Sequence, residues 1–166
     1  MIIENNGTEK VQSPQVMDFT TNLTVTANGE DATVKLADSV ELSGGVTSSS
    51  ATAGIGYATG AGASVTQITD RTTGVTCTGM SGAITTDATS LAAGAEATFT
   101  VTNTSVAVGD VVSVVARSGQ TAGTSVPFVT TVGAGSFNIT LTNLHASTAD
   151  TGAMIINFVV IKAVSA

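Results

Sequence analysis

The sequence predicts an all-β protein, in which an antiparallel β-sandwich or jelly-roll-like C-terminal domain follows a short N-terminal β-hairpin arm. Three observations predict this class. Apolar residues alternate with threonine or asparagine at a period of two, which is typical of strands that bury one face. Glycine, asparagine, aspartate and serine interrupt the alternation at short intervals, as turns between strands do. No apolar stripe with the 3.6-residue period of a helix accompanies them.

The first predicted element is a hairpin near the N-terminus. Two runs that alternate apolar and polar residues flank Asn28-Gly29, a residue pair that suits a tight turn with positive φ. Because an isolated two-stranded hairpin is only marginally stable in water, it should pack against a neighbour. We therefore expect an arm that attaches the protein to a larger assembly. The apolar residues expected to make this attachment are Leu23, Val25, Val34 and Leu36.

Charge divides the chain into three segments. Residues 1–42 contain seven acidic and two basic residues, a net charge of −5, and form the predicted arm. Residues 43–54 are rich in glycine and serine, which is typical of a flexible linker. Residues 55–166 contain five acidic and three basic residues, a net charge of −2, and form the predicted β-sandwich domain.

The C-terminal segment contains eight candidate strands, a number that suits a sandwich or jelly roll. Two of these strands are predicted to bury one face and to carry threonine or asparagine on the other; the residues of the buried face are Phe99, Val101, Phe137, Ile139 and Leu141. A short alanine-rich stretch before the fourth strand is predicted to be a turn, because a glycine interrupts it. The candidate strands are Ser64–Thr69, Gly74–Thr78, Ala83–Thr86, Ala97–Thr102, Val111–Arg117, Val126–Val132, Ser136–Thr142 and Met154–Lys162.

Two of these strands, around Val111–Ala116 and Met154–Ile161, are apolar on both faces. An ordinary sandwich strand needs only one apolar face, so the second face should be covered. We expect sister copies of the chain to cover the last strand, because an exposed apolar edge promotes aggregation. A central strand buried inside one chain is the alternative. The predicted interface residues are Met154, Ile155, Ile156, Phe158 and Val160.

Composition excludes several classes of function. The net charge of −7 disfavours nucleic acid, whose phosphates bind basic surfaces. Glu4 and Glu9 stand where a secretory signal would be basic and then apolar, so no such signal is expected. The longest apolar run, Ala153–Ile161, is about half the ~20 residues that a membrane helix needs, so no membrane insertion is expected.

The residues that could carry chemistry are few. His145 lies in a polar turn, and the single cysteine, Cys77, lies within a strand with no base beside it in sequence, so a catalytic pair is not expected. The carboxylates Asp70, Asp87, Asp110 and Asp150 fall at predicted turns, where aspartate usually bonds its own backbone. We therefore expect no enzyme, no catalytic residues, no cofactor and no metal.

Several short motifs occur in a particular order. They are GIGYATGAGASVTQITDRTTGVT at Gly54–Thr76, the Leu91–Gly94 turn, ATFTVTN, DVVSVV, the Ser118–Gly123 turn, GSFNITLTN and INFVVIKAVSA. This order and spacing, over about two-thirds of the chain, resembles the C-terminal domain of tailed-bacteriophage structural proteins. The resemblance implies a β-rich module of a fibre, decoration or collar protein, for which trimers are common. It brings no catalytic residues.

The expected function is therefore that of a non-enzymatic virion protein. A homotrimer is expected, attached to other virion proteins of the capsid, neck or tail, and located in the virion after assembly in the host bacterial cytoplasm. The alternative is a receptor- or glycan-binding fibre tip that contacts a host-surface glycan. Such a tip would require an exposed cluster formed by Tyr57, His145 and Asp150. A depolymerase is disfavoured, because neither paired carboxylates nor an aromatic platform occur.

Overall fold

The chain divides into two compact units, residues 1–54 and residues 55–166. Most of the predicted linker lies outside the described residues. Each unit forms its own sheets. The computed structural model describes residues 4–5, 8–9, 23–28, 31–36, 49, 51–52, 54–58 and 60–163.

The described residues of the N-terminal unit form two antiparallel strand pairs, of which the second was predicted. Its strands are β1 (Glu4–Asn5), β2 (Thr8–Glu9), β3 (Leu23–Asn28) and β4 (Asp31–Leu36). β1 pairs with β2, and β3 pairs with β4. The alternating pattern thus predicted the β3–β4 hairpin. Strands β1 and β2 were not predicted, because two residues are too few to show an alternating pattern.

The C-terminal unit is built of β-strands, and no helix occurs in the part of the chain that the structure describes. All eight predicted strands are present, with ends that shift by at most three residues. The predicted turn before β8 is also confirmed. The strands are β5 (Gly62–Thr66), β6 (Val75–Thr76), β7 (Ser81–Thr85), β8 (Glu96–Thr102), β9 (Val111–Ser118), β10 (Ser125–Gly133), β11 (Ser136–Asn143) and β12 (Ile155–Ile161).

These strands form two four-stranded sheets. The first sheet has the order β10-β11-β8-β6, and the second has the order β5-β7-β12-β9. Both sheets are mixed, because β5 runs parallel to β7 and β6 runs parallel to β8. The prediction of purely antiparallel sheet is therefore wrong at these two pairings. An alternating pattern records which face of a strand is buried and carries no information on the direction of its neighbour.

The inward faces of the two sheets share one hydrophobic core. The predicted buried residues Phe99, Val101, Phe137, Ile139 and Leu141 of the first sheet are each at most 2% exposed, which confirms that prediction. The second sheet contributes Ile84 of β7, Val112 of β9 and alternate residues of β12. The rings of Phe137 and Phe158, one from each sheet, lie 5.4 Å apart between centroids. This favourable tilted pair joins the two layers.

Strand β12 is an interior strand of the second sheet, with β7 on one side and β9 on the other. Its backbone is therefore paired along both edges within a single chain. The expectation that sister copies must cover the edge of this strand is therefore wrong. The alternative, a central strand buried within one chain, is correct.

Candidate functional site

The outer face of the first sheet is dominated by hydroxyl groups. We call this surface the threonine face; it comprises Glu96, Thr98, Thr100 and Thr102 of β8 with Asn138, Thr140 and Thr142 of β11. Thr98 and Thr140 share a 2.7 Å hydrogen bond, and Thr100 donates to Asn138 across the same strand pair. The neighbouring strand β10 adds Val126 and Phe128 opposite hydroxyl-bearing residues. The threonine face thus satisfies much of its own hydrogen bonding.

The outer face of the second sheet is more apolar along β9 and β12, whereas its β5 and β7 positions are small or hydroxyl-bearing. We call this surface the valine face; it comprises Val111, Ser113, Val115 and Arg117 of β9 with Ile155, Asn157, Val159 and Ile161 of β12. Val111, Val115 and Ile161 are 53%, 59% and 55% exposed. Val111 pairs directly with Ile161, so their side chains form one apolar patch.

The structure separates the five predicted interface residues into two groups. Met154, Ile156, Phe158 and Val160 are at most 3% exposed and lie in the core of the same chain. Their place in that core is a correction to the predicted interface, since a side chain buried inside one chain cannot also bind a second. Ile155 lies on the outer side of β12 and is half-buried.

A buried ion pair lies at the start of β12, and sequence reasoning missed it. Arg71 and Asp150 are 3% and 0% exposed, with Nη1 of the arginine 3.6 Å from Oδ2 of the aspartate. Nη2 of Arg71 donates to the backbone carbonyls of Asp150 and Gly152, and Nε donates to the carbonyl of Thr89. The arginine therefore joins the segments that follow β5 and β7 to the segment that precedes β12.

Asp150 extends this connection to the fourth strand of the second sheet. Its Oδ1 accepts hydrogen bonds from the backbone N–H of Thr121, which follows β9, and of Gly152. Burial raises the pKa of Asp150, but the Ser125 hydroxyl, these two N–H groups and the Arg71 charge outweigh burial and hold the pKa below its usual value. The carboxyl is therefore ionised at neutral pH, and one end of all four strands is tied to a single ion pair.

The backbones of two segments beside this ion pair lie in direct contact. A Cβ atom added at Gly152 would lie 1.9 Å from the carbonyl oxygen of Gly119, closer than any real contact. Only glycine fits at this position, because the connection after β9 crosses the connection before β12 there.

A second ion pair lies at the other end of β12. Lys162, which follows β12 directly, donates to Oδ2 of Asp110, which precedes β9. The lysine side chain is 52% exposed, whereas that of Asp110 is 1% exposed. The Lys162 hydrogen bond and the backbone N–H groups of Ala107 and Ala163 outweigh burial and lower the pKa of Asp110. This pair fixes the end of the interior strand to the start of the edge strand.

Cys77 and His145, the two residues considered for catalysis, contribute to the fold itself. Cys77 is buried, and burial raises the pKa of its thiol, which keeps it protonated. Nδ1 of His145 accepts hydrogen bonds from the backbone N–H groups of Ser147 and Thr148 and so closes a turn. The predicted exposed cluster of Tyr57, His145 and Asp150 is wrong for Asp150, since that carboxylate is fully buried against Arg71.

The remaining turn aspartates were predicted correctly. Oδ1 of Asp70 accepts from the backbone N–H of Thr72, and Oδ1 of Asp87 accepts from the backbone N–H of Thr89. These bonds lower the pKa of each carboxyl. Among the described residues, no group of three or more histidine, cysteine, aspartate or glutamate side chains could hold a metal ion.

The predicted attachment residues all lie in the β3–β4 hairpin. Its register places Leu23 opposite Leu36 and Val25 opposite Val34. The four positions therefore form two cross-strand pairs. The details of their side chains, and the Gly29-Glu30 connection between the strands, lie outside the described residues.

No protein-family model matches the chain, and neither the curated proteins nor the solved structures contain a match to it. Across the described residues, no helix reaches the length and hydrophobicity that crossing a membrane requires.

Proposed function

We propose that this chain is a non-enzymatic structural protein of a tailed-bacteriophage virion, a homotrimeric decoration or fibre protein attached to the capsid, neck or tail. Its C-terminal unit is a β-sandwich that carries the assembly surface, and its N-terminal hairpin is the arm that attaches to the particle. The observation that carries the proposal is the coincidence of the ordered virion-like motifs with the strands of the C-terminal unit.

This coincidence is specific. ATFTVTN coincides with β8, DVVSVV with the first residues of β9, GSFNITLTN with β11 and INFVVIK with β12. The motifs of the resemblance therefore contribute interior and edge strands of both sheets. They include the alternate apolar residues that fill the common core.

The β-sandwich and its assembly draw support from the distribution of apolar residues. Both sheets contribute residues to one core, and a sandwich requires such a common core between its two sheets. The outer positions of β9 and β12 are largely apolar, which suits a protein that associates with other chains. In a cyclic trimer, this surface of each protomer would lie around the threefold axis and contact the other two protomers.

The hairpin suits an attachment role because of its size. β3 and β4 have six residues each and, among the described strands, form a two-stranded sheet with one another. Two such strands need a further partner to be stable, and a particle surface supplies one. Three arms on one trimer would bind together, which raises the overall affinity above that of one arm.

The experiment measures incorporation into particles of the phage whose genome encodes the chain. Purified particles are probed with an antibody against the recombinant full-length chain, and copies per particle are counted by quantitative mass spectrometry. We expect a fixed, repeatable number that is a multiple of three. Particles that contain no copies would overturn the proposal.

The arm is tested with two matched double variants. V25D/V34D places charge at one cross-strand pair of the hairpin, and T26D/T33D places the same charge at the pair next to it. Successive residues of a strand point to opposite faces, so only the first variant changes the apolar side. We expect V25D/V34D to remain a folded oligomer that no longer joins particles, whereas T26D/T33D joins them as the unchanged chain does.

A further inference from the structure

We infer that the valine face is the surface through which copies of this chain associate, each face being covered by the same face of sister copies. The inference rests on the proposed homo-oligomer and names the surface that forms it. It also moves the interface from the inner side of β12, which the core of the same chain occupies, to the outer side of β12 and to β9.

The first step concerns the apolar character of the face. A sheet that faces water on one side normally alternates apolar and polar residues, and β8 does so, with threonine at three outward positions. β9 departs from that rule, since Val111 and Val115 point outward while Val112 and Val114 point inward. Burial within the chain leaves more than half of Val111 and Val115 exposed. Contiguous exposed aliphatic groups of this kind mark association surfaces.

The second step concerns charge, and it favours a sister copy as the partner. Every copy has a net charge of −7, so copies repel one another overall, and this repulsion is weakest where the facing surfaces carry no carboxylates. The valine face includes no aspartate or glutamate, and its single charged residue is Arg117, at the end of β9. Glu96, by contrast, lies on the threonine face. The valine face is therefore a place where two acidic chains can approach without carboxylates meeting.

The valine face has the dimensions of an interface centre. Two strands spaced at about 4.8 Å, and seven residues long at about 3.3 Å each, give a flat face of roughly 220 Å². A stable interface buries about 800 Å² on each partner, and its energy comes mainly from an apolar centre surrounded by a polar rim. The valine face would form such a centre. Asn157 and Ser113 lie beside the aliphatic residues, and the outer sides of β5 and β7 with adjoining loops would supply the remaining rim.

The test compares matched substitutions on the two outer faces of the full-length chain. V111T/V115T keeps side-chain shape and strand preference but replaces methyl groups by hydroxyls, and V111K/V115K adds charge. T98V/T100V and T98K/T100K make the reciprocal and the equivalent changes on the threonine face. Mass is measured by sedimentation equilibrium over a micromolar concentration series, and circular dichroism verifies that the strands are retained.

We expect the unchanged chain to be oligomeric and V111K/V115K to raise the dissociation constant at least about 100-fold, because two apolar contacts are replaced by charges that must be dehydrated. V111T/V115T should raise it by a smaller factor. Both threonine-face variants should retain the original mass. Added lysine lowers the net negative charge of the chain, so dissociation of V111K/V115K cannot come from stronger overall repulsion.

Two outcomes would overturn the inference. One is an oligomer whose mass is unchanged in V111K/V115K or is lost equally in T98K/T100K. The other is an unchanged chain that stays monomeric throughout the series. Neither outcome bears on incorporation into particles, which is counted separately, so failure of this surface is distinguishable from failure of the proposed virion function.

Discussion

At the start of β12, Arg71 pairs with Asp150 inside the protein, whereas at its end Lys162 pairs with Asp110 beside solvent. Both pairs join segments distant in sequence, and both lower the pKa of the carboxyl. They differ in the exposure of the cation, which is 3% for Arg71 and 52% for Lys162. A buried cation has exchanged all its water for protein groups, so its loss leaves those groups without partners. An exposed lysine can exchange Asp110 for water at little cost.

The largest expected effect is that of Arg71→Met. The substitution removes the donors to three backbone carbonyls and leaves the Asp150 carboxylate buried without its cation, which costs about 3–5 kcal/mol of unfolding free energy. Urea unfolding monitored by circular dichroism measures the change. Arg71→Lys, which keeps the charge but loses the planar fork of donors, should fall between Arg71→Met and the unchanged chain.

Lys162→Met is the matched control, since it removes the cation of the ion pair at the other end of β12. Equal losses of unfolding free energy in Arg71→Met and Lys162→Met would contradict this explanation, because burial of the cation would then not determine how much each ion pair stabilises the fold. If Arg71→Met proves too unstable to purify, Arg71→Lys still gives a measurable loss.

In the middle of β12, the packing of Phe158 against Gly82 provides an uncharged contact with which the two ion pairs can be compared. A Cβ atom added at Gly82 of β7 would lie 2.4 Å from the Phe158 ring and 2.8 Å from the carbonyl oxygen of Ala63. Gly82→Ala should therefore cost about 1–3 kcal/mol, the usual cost of overpacking. Thermal unfolding of Gly82→Ala beside Ser81→Ala, its neighbour on the outward side, measures it. A loss in Gly82→Ala no larger than in Ser81→Ala would mean that the ring moves freely.

Acid pH should act on both pairs in the same direction. A carboxyl whose pKa is lower in the folded chain binds protons more readily when unfolded, so it stabilises the fold at neutral pH and loses this effect in acid. Stability should be fully present above about pH 5 and should fall as the pH drops through about 4 and below. Urea midpoints at several pH values measure this slope.

Two variants show how much of the loss of stability in acid comes from each ion pair. Asp150→Asn and Asp110→Asn each remove one of the titrating groups, and each should flatten the slope. Asp150→Asn should also destabilise the chain at neutral pH, since it leaves Arg71 buried without a counterion. A slope that is unchanged in both variants would mean that other carboxyls, such as Asp70 and Asp87, dominate the acid response.

The sequence predicted the strands well because alternation and turn residues are local signals. β8 and β11 carry threonine or asparagine at alternate positions, a pattern that predicts strands, and their buried phenylalanines were assigned correctly. β12 was placed correctly along the chain, but its apolar residues fill both faces, so periodicity could not tell the core side from the outer side. Only its position between β7 and β9 decides that question.

The two ion pairs could not be predicted from the same signals. Arg71 and Asp150 are 79 residues apart, and Asp110 and Lys162 are 52 apart. The four aspartates were predicted to bond their own backbone at turns, which is correct for Asp70 and Asp87 and also describes the Gly152 N–H bond to Asp150, but no distant partner was assigned to any of them. The pairing of distant charges depends on the order of strands in the sheet, and two parallel pairings within that order were themselves missed. The scarcity of basic residues, three in residues 55–166, is the one sequence signal that could have suggested a specific partner for Arg71.

The smallest expected effect is that of Lys162→Met. Asp110 keeps hydrogen bonds from the backbone N–H groups of Ala107 and Ala163, and water reaches the place of the lysine head group. Because the cation of this pair is 52% exposed and the carboxylate keeps its backbone donors, the pair contributes little, and we expect the melting temperature to fall by no more than about 4 °C. The unchanged chain should show a comparable fall when added salt screens the pair, and Lys162→Met should be less sensitive to salt. A larger fall, insensitive to salt, would show that Lys162 acts through the packing of its aliphatic chain, and the difference between the two ends of β12 would then lie in packing instead of in the burial of charge.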